Sequence, residues 1–355
     1  MTRNSLPEGE KFATLLGLVQ RYSPSGQEVA AVAWLVARMR SLGYGRAFRD
    51  QAGNAVGVMG EGTRQIVLLG HIDTVAGEIP LRCEAGRLYG RGVVDAKGPL
   101  AAFVDAAARL GPLPGWQMVV IGAVDEERQS SGARHVAPLY QPEFAIIGEP
   151  SRWDRITLGY KGSAWAQVRT HRAVSHSAGQ AESASEAAFQ RWAAIQDWTA
   201  AYNQGRERLF DQVSPTLRGL ASGGDGFEEW AELQVGARLP PGFEPQDWYD
   251  RLNQVCQDAL VQPQGFPIPA YAAEKNTPLV RAFLSSIRST GARPGFVLKS
   301  GTADLNIVAP IWNCPAVAYG PGDSSLDHTP NEHLALQEYS QAVDVLEGVL
   351  RRLSE

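Results

Sequence analysis

Apolar and polar residues alternate along the first 160 residues with two different periods. Residues 9–21 and 27–42 repeat apolar positions at helical spacing, which predicts two amphipathic helices. Short apolar runs predict buried strands, and an Ala-rich segment predicts a helix among them; the strands are 54–59, 66–70, 117–123 and 144–147, and the helix is 99–110. This alternation predicts an α/β fold, with a mixed sheet and helices on both of its faces.

The alternation of strands and helices that marks the first 160 residues ends near residue 160 and resumes near residue 275. Alternating residues predict half-exposed strands at 163–170 and 230–238, and helical spacing predicts helices at 182–203 and 247–260. The Gly-rich residues 222–226 predict a flexible surface loop. A helix at 278–289, a strand at 316–319 and a helix at 336–353 then resume the first pattern. We therefore expect a catalytic domain formed by residues 1–161 and 274–355, with a smaller α+β lid or dimerisation domain, residues 162–273, inserted in it.

Composition and charge narrow the classes of function. Hydrophobic residues make up 44% and charged residues 20% of the chain, as is ordinary for globular proteins, and a net charge of −5 gives no reason to expect nucleic acid as a partner. Cys83, Cys256 and Cys314 lie far apart, which favours neither a disulfide framework nor a thiolate zinc site. Neither a leader pattern nor an apolar run of about 18 residues is found, so we expect a cytoplasmic protein without a membrane segment.

Imidazole and carboxylate side chains follow the predicted strands at the ends where α/β proteins bind ligands. Those that come directly after a strand are His71 with Asp73, the run Asp125 to Glu127, and Glu149, while Asp95 and His328 lie in turns ahead of helices. Singly, such a carboxylate is more often a helix cap or a solvated loop residue. Several carboxylates at one sheet edge repel one another, and a metal ion would relieve that repulsion.

The donor types indicate which metal. Mixed imidazole and carboxylate donors suit zinc, or manganese and cobalt, better than calcium. Two histidines and three carboxylates suit two ions about 3.5–4 Å apart, with one carboxylate bridging them. In the sequence His71-Ile72-Asp73, the aspartate is placed to orient the histidine rather than to bind metal itself.

Five motifs together resemble the di-zinc amidohydrolase and aminopeptidase family, and the resemblance spans essentially the whole chain. That family includes acetylornithine deacetylase, succinyl-diaminopimelate desuccinylase, aminoacylase and the glutamate-releasing carboxypeptidases. Each motif alone is unspecific, whereas the set is highly specific; it comprises Gly70 to Asp73, Gly90 to Gly98, Asp125 to Glu127, Gly148 to Pro150, and Asp327 to Thr329.

The resemblance implies a role for each residue of the metal centre. His71 and Glu149 would share one metal, and Asp95 would bridge both metals. Glu127 and His328 would complete the second. The implied cofactor is a pair of divalent ions, zinc or cobalt.

The resemblance also implies the catalytic residues. Asp73 would hold His71 in its ligating tautomer. Glu126 would be the general base, which takes a proton from the attacking water and then delivers one to the leaving amine. A cis peptide bond is implied between Asp95 and Ala96.

In the inserted domain the resemblance assigns substrate contacts. Arg238 matches an arginine that binds a substrate carboxylate. Gly301 and Thr302 lie in a loop, residues 300–304, that resembles the family's loop for the same carboxylate. His176 matches a histidine that, in dimeric members, comes from the partner subunit and polarises the scissile carbonyl, so a homodimer is implied. A surface arginine and a plain loop histidine are the alternatives.

Residues 70–80, 299–306 and 319–332 resemble lysine-pathway hydrolases that act on an amino-group carrier protein. Those enzymes release lysine, and often ornithine, from an amide with the side-chain carboxyl of the carrier's C-terminal glutamate, in lysine and arginine biosynthesis. The carrier is strongly acidic, so we expect a basic rim on this chain, with candidates Arg82, Arg87, Arg152, Arg155 and Lys161.

Two other functions stay open at this point. One is deacylation of a small molecule such as N-acetylornithine or N-succinyl-diaminopimelate. The other is a non-catalytic metal-binding scaffold, which Glu126 speaks against because a scaffold needs no base. Asp304 or Asp323 could pair with the distal ammonium of the product.

Overall fold

The computed structural model describes Leu6, residues 9–176 and residues 178–355. Spatial proximity divides the chain into two compact units. One comprises Met1–Gly159, Ala273–Leu298 and Ala303–Glu355, and the other comprises Tyr160–Ala272 and Lys299–Thr302. Residues 299–302 thus join the second unit, whereas the sequence placed them with the catalytic domain. The amide of Lys161 donates to the carbonyl of Lys299 at 3.1 Å, and this bond ties the segment to the second unit.

The helices are α1 (Ala13–Val19), α2 (Val29–Ser41), α3 (Lys97–Leu110), α4 (Ser131–Val136), α5 (Ala184–Asn203), α6 (Pro245–Val255), α7 (Pro278–Ser289), α8 (Asp304–Trp312) and α9 (Leu336–Ser354). The strands are β1 (Arg46–Arg49), β2 (Ala55–Met59), β3 (Arg64–His71), β4 (Arg82–Glu84), β5 (Arg87–Tyr89), β6 (Trp116–Ala123), β7 (Phe144–Gly148), β8 (Arg155–Tyr160), β9 (Gly162–Ala173), β10 (Ser214–Gly224), β11 (Glu228–Leu239), β12 (Leu260–Ile268), β13 (Tyr271–Ala272), β14 (Gly295–Lys299), β15 (Ala316–Tyr319) and β16 (His333–Ala335). None of the helices in the described ranges has both the length and the apolar character needed to span a bilayer.

The main sheet of the first unit runs in the order β1-β2-β6-β3-β7-β15-β8, and β14 also pairs with β8. Strands β6, β3, β7 and β15 are parallel neighbours, whereas β1, β2 and β8 pair antiparallel. The predicted α/β fold with a mixed sheet is confirmed. Gly70 lies opposite Gly122 on one side and Gly148 on the other. Because this register aligns the strand ends, the segments that follow β3, β6 and β7 leave the sheet at one edge.

Glycines allow the strands and α3 to approach closely beneath that edge. A Cβ on Gly148 would lie 3.0 Å from the Cα of Gly70 and 3.0 Å from the ring of Phe103 in α3. A Cβ on Gly70 would lie 3.3 Å from the Cβ of Leu100. Since α3 is buried along most of its length, its N-terminus and the preceding Asp95 are held against the sheet edge.

The second unit contains the antiparallel sheet β10-β11-β9-β12. Helices α5 and α6 pack on it through a core that includes Ile195, Leu233 and Trp248. The loop predicted at residues 222–226 begins too early, because β10 continues to Gly224, which pairs with Glu229 in β11; residues 225–227 form the turn between these strands. The helix predicted at 247–260 also extends too far. It ends at Val255, and Leu260 instead pairs with Arg169 as the start of β12.

Candidate metal centre

The end of one strand and four connecting segments carry the five predicted ligands. His71 is the last residue of β3, Glu127 lies in the turn after β6, and Glu149 follows β7 directly. Asp95 lies in the turn before α3, and His328 lies in the loop between β15 and β16. Each loop follows or precedes a buried element, so the core of the first unit determines where these side chains begin.

The Asp95 carboxylate lies between two imidazoles. Nε2 of His71 is 3.1 Å from Oδ1 of Asp95, and Nε2 of His328 is 3.0 Å from Oδ2. The same nitrogen of His328 is 3.1 Å from Oε1 of Glu127. Ligand atoms of His71, Asp95 and Glu127 all lie within 4.8 Å of one another. A carboxylate that offers one oxygen to each of two imidazole-bearing loops has the arrangement that a bridging ligand requires.

The surroundings of the titratable groups in this cluster favour positive charge beside its carboxylates. Burial alone would raise the pKa of Asp95, but hydrogen bonds from His328 and His71 hold it well below its ordinary value. Hydrogen bonds to Asp95 and Glu127 raise the pKa of His328 to about 10. Burial opposes a charged His71, yet its bonds to Asp73 and Asp95 still raise its pKa well above the ordinary value. Both histidines thus lie among carboxylates whose charge a divalent cation would neutralise, and neutral imidazoles together with carboxylates are donors that suit such ions.

Asp73 is fully buried and contacts both His71 and the turn that carries Glu126 and Glu127. On the side of the ring opposite Asp95, Nδ1 of His71 lies 3.1 Å from the main-chain carbonyl oxygen of Asp73 and 3.5 Å from its Oδ1. Its two oxygens also accept from the amides of Glu126, at 3.1 Å, and Glu127, at 3.2 Å. The hydroxyl of Ser25 donates to the same carboxylate at 2.6 Å. The sequence predicted the contact with His71, whereas the two amides and Ser25 carried no sequence signal.

Glu126 lies in the same carboxylate-rich region as the cluster. Burial raises the pKa of Glu126 well above its ordinary value, with His71 opposing the shift and Asp304 and Glu149 adding to it. Glu149 is buried and directly follows Gly148, which pairs with Gly70 in β3. His71 and Glu149 therefore leave adjacent parallel strands side by side.

The backbone at Asp95 agrees with a further expectation. The Asp95–Ala96 peptide bond is cis, as the resemblance implied. Residue 92 must be glycine here, because its φ is +83° and a Cβ would lie 2.8 Å from Cγ2 of Thr74.

Lys97, which has no predicted role, is fully buried and donates to the carbonyl of Arg21 at 2.7 Å. Burial lowers the pKa of Lys97 to about 7.

The second unit brings together part of the predicted substrate set. A guanidinium nitrogen of Arg238 donates to the hydroxyl of Thr302 at 3.1 Å, and Gly301 precedes that threonine. His176 is exposed, and its Nδ1 accepts from the amide of Ala178 at 3.0 Å. The structure therefore joins Arg238 with the loop of residues 301–302.

Lys161 does not belong to a basic rim, and this part of the sequence prediction is wrong. Its side chain is fully buried, and its ammonium donates to the carbonyls of Leu209, at 3.0 Å, and Gln212, at 2.6 Å. A third bond reaches the hydroxyl of Ser214 at 2.9 Å. With three oxygen acceptors around it, this ammonium links the start of β9 to the segment before β10.

Comparison with known proteins agrees with this description. The model of a family described as Peptidase family M20/M25/M40 matches residues 67–352. The chain is 44% identical over 340 residues to the [LysW]-lysine hydrolase of Deinococcus radiodurans, over 93% of each chain. It is 41% identical over 346 residues to a Thermococcus kodakarensis protein with the provisional name [LysW]-lysine/[LysW]-ornithine hydrolase, over 97% of this chain and 92% of the relative. Its fold resembles an M20 family metallo-carboxypeptidase from Sulfolobus solfataricus, with a TM-score of 0.77, 17% identity and coverage of 98% and 100%.

Proposed function

The chain belongs to peptidase family M20/M25/M40, and on this premise we propose that it hydrolyses an amide between an acidic amino-group carrier protein and lysine or ornithine. The scissile bond joins the side-chain carboxyl of the carrier's C-terminal glutamate to the α-amino group of the product. The observation that carries this proposal is the 44% identity, over 93% of both chains, to a relative named [LysW]-lysine hydrolase. The reaction releases a free amino acid for lysine or arginine biosynthesis, in the cytoplasm.

The metal centre consists, in this proposal, of His71 and Glu149 on one ion, Glu127 and His328 on the other, and Asp95 between them. The contacts of 3.0–3.1 Å from both histidines to Asp95 support this assignment. Imidazole and carboxylate donors favour zinc, with cobalt as the alternative. A bound pair of divalent ions would supply Lewis-acid stabilisation for the charge that develops on the scissile carbonyl oxygen and would make the attacking water more acidic.

Glu126 moves the proton in this proposal. Its carboxylate takes a proton from the attacking water and then gives one to the leaving nitrogen, so the amine departs neutral. Burial and neighbouring carboxylates raise its pKa, which brings a carboxylate closer to the range in which a general base and acid works near neutral pH. Asp73 fixes the backbone on which Glu126 stands, through the amide bond of 3.1 Å, while orienting His71.

In this proposal, residues of the second unit bind the substrate. The Arg238 guanidinium and the Thr302 hydroxyl are proposed to bind the carboxylate of the lysine or ornithine moiety, and the backbone of Gly301 lines the same loop. A guanidinium presents parallel donors that match a carboxylate. We assign His176 to the scissile carbonyl of a partner subunit, which makes the active form a homodimer and gives residues 162–273 a lid and dimerisation role.

The carrier itself is proposed to bind a basic rim formed by Arg82, Arg87, Arg152 and Arg155. Arg87 is exposed on β5, and the Arg152 side chain is 58% exposed while it pairs with Asp323. The Arg82 guanidinium stacks 3.9 Å from the ring centroid of Tyr89, which holds it on the small sheet β16-β5-β4. Complementary charge of this kind mainly steers association with an acidic partner.

A product assay tests the proposed function. The metal-free protein is supplied with Zn²⁺ or Co²⁺ and offered carrier-linked lysine, carrier-linked ornithine, N-acetylornithine and N-succinyl-diaminopimelate, and the free amino acid is quantified. Release from the two carrier substrates, abolished by a chelator, is the expected result. Turnover of only the small acyl amino acids would replace this proposal with a deacylase. Metal binding without cleavage of any amide would favour a scaffold.

A further inference from the structure

A buried ion pair joins Arg91, in the motif that also carries Asp95, to Glu332, which lies outside all five motifs. A guanidinium nitrogen of Arg91 is 2.9 Å from Oε2 of Glu332, and the two side chains are only 8% and 0% exposed. A buried ion pair is costly to desolvate, and it persists where further hydrogen bonds satisfy the remaining donors and acceptors. The partners of these two side chains therefore indicate what the pair holds in place.

Glu332 accepts from the backbone that carries Asp95. Its Oε1 receives the amide of Val94 at 2.9 Å and the amide of Asp95 itself at 3.2 Å. The main-chain carbonyl of Glu332 also accepts from Gly90 at 3.4 Å, at the start of the same turn. A carboxylate more than 230 residues away in the sequence thus determines where the main chain of Asp95 lies.

Arg91 extends the same network to the other ligand loops. Its Nε donates to the carbonyl of Gly77 at 2.9 Å, in the segment that follows His71 and Asp73. Its terminal nitrogen also lies 3.4 Å from the carbonyl of Thr329, the residue after His328. His328 has a φ of 62°, a conformation that a non-glycine residue adopts only where its surroundings impose it. One guanidinium therefore connects the segments around His71, Asp95 and His328.

From these contacts we propose that the Arg91–Glu332 pair is the positioning device of the metal centre, setting the spacing between the Asp95 carboxylate and the His328 imidazole. This inference rests on the proposed metal centre. Arg91 and Glu332 touch neither substrate nor metal; they act through the backbone of the ligand loops. Groups that orient metal ligands in this way typically contribute about 10–100-fold to metal affinity.

The test compares the wild type with Glu332→Gln, which keeps the size of the side chain but removes the charge that Arg91 requires. Metal-free protein is titrated with Co²⁺ by calorimetry, and the visible absorption of the Co²⁺ complex reports the coordination geometry. We expect the affinity to fall about 10–100-fold and the Co²⁺ spectrum to change. With saturating metal, kcat for the carrier substrate should fall while KM stays near the wild-type value.

Asp105→Asn is the matched control, because Asp105 is another buried carboxylate of the first unit. It lies about two turns along α3, and its described bonds go to Thr14 and Tyr339 and not to the ligand loops. It should lower thermal stability without changing Co²⁺ affinity or the spectrum.

If Glu332→Gln does not fold, Arg91→Lys, which loses the forked contacts but keeps the charge, is measured in the same way. Wild-type affinity and an unchanged spectrum in the folded variant would overturn the positioning role alone. A wild type that binds no Co²⁺ would overturn the metal centre with it.

Discussion

Asp73 explains why two separate motifs of this chain depend on each other. One carboxylate contacts the ring of His71 and receives the backbone amides of both Glu126 and Glu127. The proposed base, a proposed ligand of one metal and a proposed ligand of the other are therefore all in contact with one residue. A change at Asp73 would disturb both functions at once, so Glu126 is the cleaner residue at which to test the proton transfer.

Glu126→Gln should remove the general base and leave the metal centre intact. The amide cannot accept the proton of the attacking water, so we expect kcat with the carrier substrate to fall by about 10²–10⁴, with little change in KM. Steady-state kinetics checks this, and metal analysis should show the wild-type metal content. Glu61→Gln, at an exposed glutamate of the same unit, is the control and should be fully active. Full activity of the Glu126 variant would mean that another group moves the proton.

The places of the proposed ligands in the fold could be predicted from the sequence, because each of these residues follows or precedes a recognisable element. Glu332 could not be predicted, since its role depends on amides of Val94 and Asp95 that lie far away in the sequence. Lys161 was misassigned for the related reason that lysine is usually exposed, and only the fold shows three oxygen acceptors around its ammonium.

At the scale of elements, α3 is joined to two other helices by one buried carboxylate. Thr14 of α1 donates to Oδ1 of Asp105 at 2.5 Å, and Tyr339 of α9 donates to Oδ2 at 2.7 Å. Burial raises the pKa of Asp105, and the two hydroxyl donors counteract part of that shift. The junction therefore joins α1, α3 and α9 within the core of the first unit.

Asp105→Ala should therefore destabilise the metal-free protein. The substitution leaves two buried hydroxyls without an acceptor, at a cost of about 1–3 kcal/mol for each, and the free energy of unfolding from urea titration measures the sum. The control is Asp344→Ala, on α9. Its carboxylate pairs with Arg109 on the surface at 3.0 Å and is 60% exposed, so its loss should cost no more than about 1 kcal/mol. Equal losses in the two variants would show that the buried junction contributes no more than a surface pair.

Elements with a long, regular pattern could be predicted closely, and short or paired ones could not. Helix α7 matches its predicted range, because its apolar residues follow a single period. Strands β4, β5 and β16 have only three residues each, so no period can be recognised in them. Residue 260 was assigned to a helix, whereas pairing with β9 makes it the start of β12.

For the whole molecule, the net charge of −5 conceals where the charges lie. An acidic protein that acts on an acidic carrier would be repelled by it unless its basic side chains were concentrated on one surface. The proposed rim draws on the small sheet, through Arg82 and Arg87, and on the segment after Glu149, through Arg152 and Arg155. Its contribution should then appear in association with the carrier and not in the chemical step.

Charge reversal in the double variant Arg87→Glu and Arg152→Glu tests this expectation. We expect KM for carrier-linked lysine to rise about tenfold or more with little change in kcat, because long-range attraction mainly affects the encounter of the two proteins. The difference from the wild type should shrink at high ionic strength, where exposed charges more than about 3–10 Å apart are screened. The double variant Arg288→Glu and Arg351→Glu changes the net charge equally at exposed positions of α7 and α9, and it should keep the wild-type KM. If both double variants raised KM alike, total charge and not a defined rim would govern binding of the carrier. If neither did, the carrier would bind through contacts that do not depend on these arginines.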